Sequence, residues 1–85
     1  MNNELEIFKK KLIYRAAYRG TKEMDILLSS FVNKHIESFN ESQLLELDKF
    51  LNFEDEVILN FYNHNIIKKQ IDKNDISMIF KNFKL

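Results

Sequence analysis

Apolar residues recur at three- and four-residue spacing along most of this chain, a rhythm that predicts helices. Leu5, Phe8, Leu12 and Ala16 share one face of a helix over residues 4–18. Met24, Leu27, Leu28, Phe31, Val32, His35 and Ile36 fall on one side of a second helix at about 100° per residue. Lys22, Asp25, Ser29 and Asn33 fall on the other side. Asn40 followed by Gln43 resembles a capping box, and Leu44, Leu47 and Leu51 mark a third helix, about 41–51. A fourth starts at Asn52 or Phe53, with Glu54, Asp55 and Glu56 at its positive end and Val57, Ile58, Phe61 and Tyr62 facing inward. Asn63-His64-Asn65 ends it. Asp72 or Asn74 caps a last helix bearing Ile76, Ile79, Phe80 and Phe83, and Ile66, Ile67 and Ile71 tie down the connector before it. The pattern predicts an all-α protein: one domain over residues 1–85, a small antiparallel bundle of about five helices. Residues 1–3 and 84–85 are expected to fray.

Composition narrows the functional classes. One glycine and no proline leave little material for hairpin turns. The absence of cysteine removes disulfides, thiolate zinc and thiol catalysis. Thirteen basic and thirteen acidic residues cancel, so the basic footprint of a nucleic-acid binder is missing. No apolar run is long enough to span a bilayer. An opening Met without a leader suggests a bacterial cytoplasmic protein. The two histidines, His35 and His64, lack metal-ligand spacing, with His35 read as a partly buried packing residue. Lys9-Lys10-Lys11 reads as a solvated helix flank. Three adjacent acids, Glu54 to Glu56, point in different directions and serve a helix N-terminus better than a metal. No nucleophile–base pair or phosphate-cradling loop is visible, which argues against an enzyme.

The lone glycine sits in Tyr18-Arg19-Gly20-Thr21-Lys22-Glu23-Met24-Asp25, where one helix stops and the next begins. On a functional reading this is a recognition corner. Gly20 lets a partner's backbone approach, and Arg19 offers a fork of donors beside Glu23 and Asp25. On a plainer reading it is a helix stop with a surface ion pair. A second apolar stripe, Ile7, Tyr14 and Tyr18, crosses the first helix opposite the core stripe. It either meets a partner or is covered within the bundle.

Arg15 to Phe31 resembles the signature of the SdhE family, the succinate dehydrogenase flavinylation factors called Sdh5 in yeast. Arg19, Gly20, Glu23 and Asp25 match its Arg-Gly-x-x-Glu-x-Asp pattern position by position, and the likeness covers roughly residues 5–65. The family often has a proline among the acids before helix four and a Trp within it. Here Val57 follows the acids and Phe61 stands where Trp is usual. The resemblance implies a non-catalytic assembly factor, and composition adds the expectation of no membrane insertion and no nucleic-acid partner; a monomer is expected. It would bind the flavoprotein subunit of succinate dehydrogenase, or of fumarate reductase, and promote covalent attachment of FAD to a histidine there. It would hold no cofactor stably itself. Arg19, Gly20, Glu23 and Asp25 would form the contact, widened by Tyr14 and Tyr18. Gly20→Arg is then expected to leave the fold intact and abolish binding. The rival reading is a helical interaction module or antitoxin-like regulator with no flavin role.

Overall fold

The computed structural model describes residues 3–64 and 74–85. In these residues five α-helices follow one another: α1 (Asn3–Ala17), α2 (Lys22–His35), α3 (Glu41–Phe50), α4 (Asp55–His64) and α5 (Asp75–Asn82). A short 3-10 turn, Ile36–Ser38, extends α2. The all-α expectation holds, and no strand occurs among the described residues.

Local chemistry sets the helix ends. Thr21 caps α2, its hydroxyl accepting from the Met24 amide at 3.3 Å. Asn40 and Gln43 form the expected reciprocal capping box on α3, at 2.8 and 2.9 Å. Asn74 rather than Asp72 caps α5, in a second reciprocal box with Ser77. Asp72, together with Ile66, Ile67 and Ile71, lies outside the described residues. The fourth helix begins at Asp55, later than the expected Asn52 or Phe53. Those two residues belong to a turn in which the Asn52 and Phe53 amides reach back to the Lys49 and Phe50 carbonyls, closing α3.

The core is the sum of the expected stripes. α1 packs on α2 and α3, and α5 packs on α3 and α4. Leu12, Ala16, Leu28, Phe31, Val32, Leu44, Leu47, Ile58, Ile76 and Phe80 are fully buried. Phe31 is central, its ring 5.1 Å from Phe80 and 5.5 Å from Phe83, both edge-on. Aromatic pairs in this range add about 0.5–1.5 kcal/mol beyond area burial. His35 is half-buried beside it, stacked on Phe39 at 5.9 Å, as its place on the apolar face implied.

One basic residue departs from expectation. Lys9 is buried, not part of a solvated flank. Its stem lies against the core and its ammonium stands 3.7 Å from Glu6 and 3.6 Å from Glu37. The register explains this, since Lys9 shares the inner side of α1 with Leu5, Leu12 and Ala16, while Lys10 and Lys11 point outward.

Candidate functional site

Residues 18–21 turn the chain from α1 into α2. Gly20 has φ +121°, a conformation that residues with a side chain rarely adopt. A Cβ built there would meet nothing within 4 Å. Backbone conformation therefore selects glycine here, and the space above Gly20 is open. The Gly20→Arg expectation changes accordingly. The larger side chain has room, but the backbone beneath it would be strained by about 1–3 kcal/mol.

Arg19 is fastened at both ends. Its amide donates to Asp25 Oδ1 at 2.5 Å, tying the corner to the first turn of α2. Its guanidinium points inward, with the side chain only 10% exposed. Nε donates to Asp55 Oδ1 at 2.9 Å, Nη1 to the Leu51 carbonyl at 2.6 Å and Nη2 to the Phe53 carbonyl at 2.7 Å. The carbonyls of a helix end lack intrahelical partners and carry the negative end of the dipole. One cation thus satisfies the C-cap carbonyl of α3 and a carbonyl of the α3–α4 connector, and pairs with the first carboxylate of α4. The expected outward fork is corrected: neither a partner nor Glu23 receives this guanidinium.

Helical period gave no signal for this, because α1 ends at Ala17 and Arg19 lies two residues beyond it, in the turn. Arg15, four residues earlier, does a parallel job that the sequence reading missed. It hydrogen-bonds the Asp48 carboxylate, the Asp48 carbonyl at 3.3 Å and Asn52 Oδ1 at 2.7 Å. Asp55 needs its distant partner Arg19 to be visible as more than a dipole-favoured first-turn acid. Thr21 is missed although a threonine at a helix start is a local cap signal, acting here through Met24 three residues on.

Several of the expected site residues remain on the outside. Glu23 is exposed and makes no hydrogen bond or ion pair with any described residue. Gly20 is exposed, and Asp25 is half-buried as the acceptor for Arg19. The second stripe on α1 is uncovered by the described residues: Ile7 is 54%, Tyr14 58% and Tyr18 72% exposed. The two tyrosine rings lean together at 4.6 Å. Ile7, Tyr14, Lys10, Lys11 and Arg15 line a shallow, open depression of about 420 Å³ beside them. The structure thus brings together Arg19, Gly20 and Asp25 as the frame of the corner. Glu23 and the tyrosines are left free to meet another molecule.

Among the described residues no three of His, Asp or Glu converge as a metal site. No helix there is long and apolar enough to cross a membrane.

A family model described as Sdh5, flavinator of succinate dehydrogenase, matches residues 10–84. Among similar proteins, the mitochondrial succinate dehydrogenase assembly factor 2-B of Drosophila simulans is 48% identical over 48 residues, 56% of this chain and 31% of that protein. The mitochondrial assembly factor 2-A of Drosophila willistoni is 43% identical over 51 residues, 60% of this chain and 32% of that protein. The matched stretch is thus about a third of the relatives' length. Both relatives are named as mitochondrial, which lends no support to the expected bacterial cytoplasm. No solved structure matches at a significant level. With a model match that takes in α2 to α5 and the whole Arg-Gly-x-x-Glu-x-Asp corner, the chain belongs to the family of succinate dehydrogenase flavinators.

Proposed function

We propose that this chain binds the flavoprotein subunit of succinate dehydrogenase and promotes covalent attachment of FAD to it, without making the bond itself. The observation that carries the reading is the family match over residues 10–84, which includes the corner where Glu23 stands exposed, its side chain without a partner among the described residues. The contact consists of Glu23, the open backbone at Gly20, and Tyr14 and Tyr18 on the neighbouring face of α1. Arg19 and Asp25 hold that contact in shape.

The physical role is population shift. A helper raises the reactive arrangement of flavin and acceptor histidine only by binding that arrangement better than the others. A 100-fold enrichment requires about 2.7 kcal/mol of differential binding. One charge-assisted hydrogen bond from Glu23 and the burial of two tyrosines are of the right order. The flavin stays with the partner, and the helper leaves unchanged.

Co-expression of the flavoprotein with this chain tests the proposal, read as co-purification and in-gel flavin fluorescence. Wild-type chain is expected to co-purify and to raise covalent flavin. Glu23→Lys should weaken the complex by at least about 2–5 kcal/mol, the range for merely truncating one partner of a charge pair buried at an interface. Its own stability should fall by only about 1 kcal/mol, the cost of reversing an exposed charge in the first turn of α2. A wild-type chain that ignores the flavoprotein and captures another partner would favour the regulator reading instead. The same assay with the fumarate reductase flavoprotein sets the range of clients.

A further inference from the structure

We propose that Arg19 serves the corner as a positioning residue and that the α3–α4 connector, through Asp55, is the second half of the recognition device. This rests on the function proposed above and deepens it. Four hydrogen bonds converge on Arg19 from two different parts of the chain. Asp25 holds its amide at 2.5 Å from the α2 side. Asp55, the Leu51 carbonyl and the Phe53 carbonyl hold its guanidinium at 2.9, 2.6 and 2.7 Å. A Cβ built at Gly20, next along the chain, would meet nothing within 4 Å, so no packing around a side chain fixes its left-handed conformation. Through Arg19 the corner at Gly20, and the first turn of α2 where Glu23 stands, are coupled to residues 51–55. Asp25 links the two segments, because its carboxylate sits in the first turn of α2 two residues beyond Glu23.

The chemistry requires arginine. Three acceptors lie around one planar group, and only a guanidinium presents donors in that fan. An ammonium in its place could satisfy one or two of them at a time. It would leave helix-end carbonyls unpartnered and the connector free to shift. Asp55 is thus a residue of functional consequence that need not touch the partner. Its effect travels by a contiguous hydrogen-bonded path of one side chain.

The test is a double-mutant cycle on flavoprotein affinity, measured well below the melting temperature of every variant. Arg19→Lys and Asp55→Ala are each expected to weaken binding about tenfold. The double variant should be little worse than either single, and Asp55→Asn, which keeps an acceptor oxygen, should restore most of the loss. In the free chain, amide hydrogen exchange should quicken over residues 19–25 in the same two variants while the buried amides of α3 stay protected. Asn74→Ala, a cap deletion on α5 with a comparable loss of stability, is the control and should leave affinity unchanged. Three results would overturn the inference. The first is Asp55→Ala binding like wild type while Arg19→Lys does not, which would make Arg19 a direct contact. The second is full additivity of the two losses. The third is a loss of affinity in Asn74→Ala in step with its stability, which would reduce the effect to folding alone. If the wild-type chain does not bind the flavoprotein at all, the proposed function itself fails, an outcome distinct from these three.

Discussion

Gly20 and Arg19 sit side by side in the corner motif and obey different constraints. Gly20 is held by its own backbone dihedral, with open space around it. Gly20→Ala should therefore destabilise by about 1–2 kcal/mol through strain alone. In a domain of this size that is a fall in melting temperature of roughly 5–15 °C, read by circular dichroism. A larger residue should cost about the same, since no neighbour resists its bulk; a steep dependence on side-chain size would contradict the open corner. Arg19 is held by partners distant in sequence, and a glance at the motif does not reveal them. The motif places an arginine beside two acids, which invites a local ion pair. The structure instead sends the guanidinium to Asp55, thirty-six residues on. Helical period offers no clue either, since α1 has ended two residues before Arg19. Glu23, by contrast, is exposed in the first turn of α2, a placement that depends only on the helical period.

At the scale of helices, the capped ends were the most legible. Asn40 with Gln43 carries its whole explanation within four residues, so a capping box could be expected from the sequence and is present. Asn40→Ala should cost about 1 kcal/mol by removing one helix-end partner. Urea unfolding should show a lowered midpoint with an unchanged slope. The beginning of α4 was less legible for the opposite reason. Its acids suit any of several start positions by the dipole argument, and the choice of Asp55 coincides with the pull of Arg19 on the carbonyls of Leu51 and Phe53. The face of α1 shows the same division. Its two stripes are plain in the sequence, but which one the bundle covers depends on where α2 and α3 pack. They cover Leu12 and Ala16 and leave Ile7, Tyr14 and Tyr18 outside.

Across the whole molecule, the aromatic cluster joins the end of α2, the 3-10 turn and the residue after α5. His35 lies within it, near Phe31, Phe39 and Phe83. Burial pushes its pKa below the usual 6.5, and the neighbouring Lys34 ammonium pushes in the same direction. In the unfolded chain the imidazole regains its ordinary affinity for protons, so the unfolded state binds more protons below about pH 6.5. Above that value both states hold it neutral and its contribution to stability is complete. As pH falls from there toward the lowered native value, stability declines, and below the native value the loss stops growing. A pH series of melting curves should show this decline in wild type and a smaller one in His35→Phe, which keeps the ring without the proton site. An equal slope in both would remove His35 from the account.

Helical period, cap residues and a single glycine are local quantities, and by themselves they determined the all-α class, the helix order, most of the core and the existence of a corner between α1 and α2. The family likeness was legible there too, because it is carried by residues adjacent in the chain. Tertiary structure alone decided that the guanidinium of Arg19 turns inward, that Lys9 is buried while Lys10 and Lys11 are not, and that the outer stripe of α1 is left uncovered. Those outcomes depend on which distant carbonyls, carboxylates and apolar surfaces arrive beside each residue. A one-dimensional pattern specifies the face on which a side chain lies, and only the packed chain supplies what that face meets.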